Sequence, residues 1–305
     1  MIKLQHVFSD GALFQAALLL TIRGQAAPDA ALSAVITGKA GKAAEAAAKA
    51  DAQGFFALTL NTPEASFDSY EIAVRCGGEE VILHDVLFGE LWLASGQSNM
   101  ELTNSAITGA EKLYEEVAPK TIRVYHVDYP AYGGDGQFPW EPDAWMTGRW
   151  LKADDAKAMA GVSAAGLKFA NDLYDFLNEK KDVPVAFLNA SWGGTSMRSW
   201  LPRAAIEADA YMAGRLEKLG LNITPENWNT REGGNFQQTS AMYNVKIAPL
   251  EGVKVRGVIW YQGENEASGE HRNRAYADYL RFYHKVYADR FAADPEDFMM
   301  ISSLI

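Results

Sequence analysis

The chain has 305 residues, 48% of them hydrophobic and 22% charged, which is an ordinary globular composition with material for one large or two medium domains. Its formal net charge of −11 (28 basic against 39 acidic side chains) argues against a nucleic-acid partner, because phosphates attract basic surfaces, and disfavours a polyanionic substrate. The single cysteine, Cys76, excludes an intrachain disulfide, offers no metal-ligand spacing, and reads as a small apolar core residue.

The N-terminus has no charged segment followed by an apolar run and a small-residue cleavage site, so no signal peptide is expected. Residues 12–20 are apolar but interrupted by Gln15; they are too short to cross a bilayer and read as strand. A soluble, cytoplasmic chain with no membrane partner is the simplest expectation. Up to residue 85, short runs at 18–23, 32–37, 55–60, 70–75 and 80–83 alternate with turn signals, the pattern of a small β-sandwich-like domain. The alanine-rich stretch 38–51 has helical propensity, but its place between strand candidates predicts a hairpin arm.

From residue 86 the pattern changes to strands alternating with helices. Strands are expected at 86–94, 122–127, 183–190 and 255–261, and helices at 163–179 and 276–291. Near-continuous apolar strands between helices predict a mainly parallel sheet covered on both faces, so 86–305 reads as an α/β domain following the 1–85 domain. Residues 129–150, rich in Gly, Pro, Trp and Tyr without periodicity, read as a long loop.

Three of these strands run into small or polar residues: Ala94-Ser-Gly-Gln-Ser98, Phe187-Leu-Asn-Ala-Ser-Trp-Gly-Gly-Thr-Ser196 and Val258-Ile-Trp-Tyr-Gln-Gly-Glu-Asn265. In a parallel sheet such ends share one edge, where residues distant in sequence converge on a crevice. Acyl transfer needs a nucleophile, a base and donors aimed at the oxyanion. Ser98 is the candidate nucleophile and its own N–H one donor; a glycine N–H at the second strand end and a side-chain amide at the third complete the set. The plain structural alternatives are a turn serine capping a helix for Ser98 and buried, backbone-satisfied polar side chains for Gln262 and Glu264.

The blocks Gly96-Gln-Ser-Asn-Met-Glu101, Ser191-Trp-Gly-Gly-Thr-Ser196, Tyr243-Asn-Val-Lys-Ile-Ala-Pro-Leu250 and Gly257-Val-Ile-Trp-Tyr-Gln-Gly-Glu264 resemble the sialate O-acetylesterases, a branch of the SGNH (GDSL-like) hydrolases. Phe8-Ser-Asp-Gly-Ala-Leu-Phe-Gln15 and Asp85-Val-Leu-Phe-Gly-Glu-Leu-Trp92 resemble the same family, so the similarity runs in order over nearly the whole chain. The resemblance implies a three-layer α/β/α hydrolase domain, hydrolysis of O-acetyl groups on a sialic acid or related sugar, and no metal or organic cofactor. It also implies a catalytic Ser98 and an oxyanion hole of Ser98, Gly194 and Gln262, with Asn265 as the rival to Gln262. Asn99, Arg198 and Glu264 are candidate substrate contacts, Arg198 for a sialate carboxylate. Where the family more often has Gln-Gly-Glu-Ser-Asn, this chain has Gln-Gly-Glu-Asn-Glu, a departure at Asn265 and Glu266.

Family members take their catalytic histidine from a later Asp-x-x-His motif. None of His6, His84, His126, His271 and His284 has an aspartate three residues before it, and the sequence stops within an apolar strand-like run, 298–305. The expectation is a C-terminally truncated chain whose Ser98 lacks its general base, with His271 and His284 read as ordinary surface or packed side chains. Two competing readings follow: a non-catalytic carbohydrate-binding protein, and a glycosidase using Glu264 and Glu266, although positions so close on one loop seldom flank a sugar from opposite sides. Trp140, Trp145, Trp192 and Trp200 could stack on sugar faces or anchor the core and loops.

Overall fold

The computed structural model describes residues 1–130, 138–221, 224, 235–267 and 270–303, with 235 and 270–275 described by their backbone alone. The N-terminal part carries β1 (Lys3–Leu4), β2 (Leu13–Gln15), β3 (Leu19–Gln25), β4 (Ala31–Gly38), β5 (Gly41–Lys49), β6 (Phe55–Asn61), β7 (Ser66–Cys76) and the long β8 (Glu79–Gly96). Then come α1 (Ser98–Glu101), α2 (Ala110–Val117), β9 (Ile122–Val127), β10 (Gly148–Lys152), α3 (Ala156–Met159), α4 (Ala164–Asn178), β11 (Val185–Ser191), α5 (Arg203–Ala208) and α6 (Ala210–Lys218). A π-helical turn, Tyr243–Ile247, precedes β12 (Gly257–Tyr261), α7 (Glu264–Ala267), α8 (Glu270–Phe291) and β13 (Met299–Ser302).

The alanine-rich stretch forms β5, paired antiparallel with β4. Its alanines face the core at alternate positions while Lys42, Glu45 and Lys49 face solvent, so the half-buried surface overrides helical propensity. The segment expected as loop up to residue 150 contains β10, whose Arg149, Trp150 and Leu151 pair antiparallel with His126, Tyr125 and Val124 of β9.

The sheet differs from the expectation of a mainly parallel one: it is large and mixed. Around the site, β9, β11, β8, β12 and β13 are parallel neighbours. The N-terminal half of β8 pairs antiparallel with β7, which continues the ladder into β4 and β5. β8 thus crosses the point expected as a boundary, residues 85 and 86, and joins both ladders in one sheet; β1, β3 and β6 form a separate antiparallel sheet.

Alternate residues of the parallel strands are buried on opposite faces. Trp92, Ala94, Val185, Phe187 and Ile259 pack with Leu167 and Ala170 of α4, whereas Leu91, Leu93, Ala186, Leu188, Val258 and Trp260 pack with Tyr279, Tyr283 and Tyr287 of α8. Both faces being covered explains why β11 is buried at every position. α4 begins where Ser163 Oγ accepts the Gly166 N–H at 3.0 Å, and a Cβ on Gly166 would come within 2.7 Å of the Phe187 ring, so this glycine lets helix and sheet close on each other.

Candidate active site

The three strand ends converge. Gly96, the last residue of β8, is in register with Ser191 of β11 on one side and Tyr261 of β12 on the other. Gly96 has φ +142°, and a Cβ there would lie 2.2 Å from the Tyr261 carbonyl, so the turn that releases the chain from β8 accepts only glycine. Gln97 remains buried with its N–H on Tyr261 O at 2.9 Å, and Ser98 and Asn99 emerge exposed at the first positions of α1.

Beside Ser98 lies the turn after β11. A Cβ on Gly193 would lie 3.6 Å from Ser98 Cβ and 2.6 Å from a Glu101 carboxylate oxygen, so Gly193 permits close contact with α1. The Gly193 N–H donates to Glu101 Oε2 at 2.7 Å and is therefore taken. Gly194 has φ +71° and is exposed; among the described residues no group accepts its N–H or that of Ser98. Its carbonyl accepts Gln237 Nε2 at 3.0 Å and Asn265 Nδ2 at 3.1 Å. Thr195 Oγ1 donates to Trp192 O at 2.8 Å and accepts Trp200 Nε1 at 3.0 Å, which fixes the rest of the turn.

The third strand end divides its polar groups between burial and the crevice. Gln262 is 1% exposed, and its amide nitrogen has only two N–H groups: one donates to Thr195 O at 3.1 Å and the other to the Glu266 carboxylate. In this arrangement both N–H groups of Gln262 are engaged, and Gln262 ties β12 to the Thr195 turn. Glu266 is buried and also accepts the Met197 N–H at 2.6 Å; burial raises its pKa against the lowering effect of these bonds and of the Arg198 charge. Asn265, half-buried, reaches Gly194 with its side chain, and its backbone N–H donates to Gln97 Oε1 at 3.3 Å.

Of the candidate substrate contacts, Asn99 and Glu264 engage each other: the Asn99 amide donates to Glu264 Oε1, while Glu264 Oε2 is buried without a partner among the described residues. Glu264 thereby orients α1 from the opposite loop. Arg198 is half-buried and its charge acts on Glu266 and Tyr279, which draws it towards α8.

The tryptophans separate in the same way. Trp200 is fully buried, Trp140 lies under Arg203 and Trp145 under Lys3. Trp192 alone adjoins the Ser98 turn, with the rings of Tyr129 and Phe138 at 4.9 and 5.5 Å.

The described histidine contacts lie elsewhere. His84 pairs with Glu71, His126 with Asn189, and His284 with the Phe298 carbonyl. Burial, together with the nearby Lys246 and Arg149 charges, pushes His126 down to about 4, so it is neutral at pH 7. The side chain of His271 lies outside the described residues. Among the described residues no cluster of three or more His, Cys, Asp or Glu side chains could hold a metal ion, and no helix is long and apolar enough to cross a membrane.

Three residues absent from the sequence reading belong to this site: Glu101, Tyr129 and Lys246. The Tyr129 hydroxyl donates to the carboxylate oxygen of Glu101 that Gly193 leaves free, and the buried Lys246 ammonium sits 3.9 Å from the Tyr129 ring centroid. A signal existed in the block Tyr243-Asn-Val-Lys-Ile-Ala-Pro-Leu250, where a lone lysine interrupts an apolar run.

A family model described as carbohydrate esterase, sialic acid-specific acetylesterase, matches residues 89–292. The sialate O-acetylesterase of Mus musculus is 31% identical over 208 residues, which are 61% of this chain and 36% of that protein. That of Homo sapiens is 30% identical over 188 residues, 60% of this chain and 32% of that protein. The chain spans about a third of the length of these curated relatives. A carbohydrate acetylesterase from Xanthomonas citri has a similar crystal structure, with a TM-score of 0.76 and 26% identity, covering 98% of this chain and 60% of that one. By the family match, which takes in more than half of its residues and all three strand ends of the crevice, the chain belongs to the carbohydrate esterase family of sialic acid-specific acetylesterases.

Proposed function

We propose that the chain carries the nucleophile and oxyanion site of a serine esterase that removes O-acetyl groups from a sialic acid or a related acetylated sugar. The observation that supports the reading is the convergence at Gly96: Ser98 emerges exposed beside Gly193, where an added Cβ would lie 3.6 Å from Ser98 Cβ, and the next residue, Gly194, has an N–H that no described group accepts, within a chain of this family. In the first step Ser98 Oγ bonds to the acetyl carbonyl carbon and passes its proton to a base. The carbonyl oxygen takes the negative charge, and the N–H groups of Ser98 and Gly194 are the donors assigned to it. The sugar oxygen then leaves with the proton, and water hydrolyses the acetyl-serine to acetate.

For the third donor we favour Asn265 over Gln262 on position: Gln262 is 1% exposed, whereas Asn265 is half-buried at the Gly194 turn, where its Nδ2, bonded to the Gly194 carbonyl, turns from that bond to the oxyanion. The bonds of Gln262 and Glu266 to the Thr195–Met197 segment hold the hole rigid, and rigidity lets fixed dipoles lower the barrier without reorganisation. The reading also takes residues 1–85 as a β-sandwich-like domain and 86–305 as the hydrolase domain. The base implied by the family is the histidine of an Asp-x-x-His motif, and none of the five histidines of this chain has an aspartate three residues before it.

The test is hydrolysis of p-nitrophenyl acetate by this chain alone and by a form lengthened at its C-terminus with the Asp-x-x-His segment of a family member. The lengthened form is expected to turn over, and Ser98→Ala to abolish the turnover. An inactive lengthened form, or a Ser98→Ala rate equal to the parent, would sink the proposal.

A further inference from the structure

Lys246 is 1% exposed, yet among the described residues no carboxylate lies within ion-pairing distance of it. A buried ammonium is costly unless its N–H groups are satisfied, and this one donates to the carbonyls of Val127 at 2.9 Å and Asp128 at 3.2 Å. Its remaining surroundings are aromatic: the Tyr129 centroid at 3.9 Å and the Trp192 centroid at 5.5 Å. It sits on a π-helical turn, a local departure from α-geometry that occurs frequently at functional sites.

The groups it touches lead to Ser98. Tyr129 and Trp192 pack at 4.9 Å, the Tyr129 hydroxyl donates to Glu101, and the other oxygen of that carboxylate holds the Gly193 N–H at 2.7 Å. Burial and the neighbouring Glu101 raise the Tyr129 pKa, so the phenol keeps the proton it donates. While Lys246 is protonated, its charge over the ring face draws electron density from the phenol and strengthens that donation.

We propose that Lys246 is a positioning residue for this site: through the Tyr129 ring and the Glu101 carboxylate it fixes the Gly193 peptide, and with it the Gly194 N–H, against Ser98. The kinetic part rests on the esterase reading above; the positioning of Gly193 does not. Glu101 forms the centre of the chain because its carboxylate accepts hydrogen bonds from both the Tyr129 hydroxyl and the Gly193 N–H. Lys246 is buried against the Tyr129 and Trp192 rings and so acts through them.

Two measurements on the full chain and its variants test this. In protein labelled with 15N-glycine, the Gly193 amide proton is expected downfield because it bonds a carboxylate, and to move upfield in Lys246→Met and in Tyr129→Phe. In the active form, each variant is expected to lower kcat by about 10-fold with KM little changed, a penalty of the size that small misplacement of reacting groups brings. The double variant should be no slower than the slower single one, because both substitutions cut the same chain. A Gly193 resonance unmoved in both variants, or kcat losses that multiply in the double variant, would overturn the proposal.

Tyr129→Phe removes a single oxygen at a residue 47% exposed, so it remains informative if Lys246→Met does not fold. Should Ser98→Ala retain full activity, the esterase reading fails, while the Gly193 resonance still decides whether Lys246 and Tyr129 position that peptide.

Discussion

The amides of Gln262 and Asn265 show how far residue type alone carries an assignment. Both stand after the third strand, and from sequence either can donate to an oxyanion. Burial separates them: Gln262 has spent its two N–H groups on Thr195 and Glu266, whereas Asn265 stays at the mouth beside Gly194. Asn265→Ala is therefore expected to cost about 10²–10³ in kcat with little change in thermal stability, the usual loss for one oxyanion donor. Gln262→Ala leaves the Thr195 carbonyl unpaired and Glu266 short of a donor in the interior, so it should lower the melting temperature as well as kcat. Circular dichroism melts beside steady-state kinetics distinguish the two, and an unchanged Gln262→Ala melting temperature would count against the assignment. The turns at Gly96 and Gly194, and the emergence of Ser98 after a buried strand, were legible because glycines at forced turns leave a local pattern. Glu101 and Tyr129 were not, because their roles depend on contacts made across the crevice.

The π-helical turn at Tyr243–Ile247 is the element whose chemistry the sequence concealed most fully. Its five residues are all buried, and Lys246 is carried inward with them. Burial lowers the Lys246 pKa to about 7 from 10.5, against the charges of Glu101 and Asp128 that favour the ammonium. The other groups around it are the neutral His126 and Arg149 on the adjacent strands and Tyr129 above it.

Between about pH 7 and 10.5 the unfolded chain holds a proton here that the folded chain has released, so this lysine's contribution to stability rises with pH through that window. Below it, the fold bears the full cost of a buried ammonium. Lys246→Met is thus expected to melt higher than the parent at pH 6, with the advantage shrinking towards pH 9, as differential scanning calorimetry would show. A constant difference would mean that Lys246 does not titrate in this range. A variant that is more stable yet slower would also separate positioning from mere support. The strands were more readable than this turn: β9, β11 and β12 follow from apolar runs. β8 was read as two shorter strands because the polar His84 and Asp85, exposed and half-buried respectively, interrupt the apolar pattern.

At the scale of the molecule, β8 carries the N-terminal ladder into the parallel strands that present the crevice, and Arg123 reinforces the join. Its guanidinium, on β9 and 5% exposed as a residue, donates to Ala12 O at 3.0 Å, Asp85 O at 2.5 Å and the Asp85 carboxylate at 2.8 Å. Removing one partner of a buried pair is strongly destabilising, but the Asp85 side chain is 39% exposed and also meets Lys152 at 2.7 Å, which moderates the loss. Arg123→Met should cost about 2 kcal/mol. The loss should appear as one cooperative transition at lower temperature, because the shared strand couples the two parts; a separate early transition would show that they unfold independently. The alternation of strands and helices made an α/β fold legible, while the mixed sheet was not, since strand pairing across the chain leaves no local trace.

The central claim is that Ser98 attacks an acyl carbonyl from the turn at Gly96, and covalent trapping tests it most directly. After incubation of the C-terminally lengthened form with a fluorophosphonate probe, peptide mass spectrometry is predicted to find the adduct on Ser98 and to find none in Ser98→Ala. An adduct on another residue, or labelling undiminished in Ser98→Ala, would contradict the account.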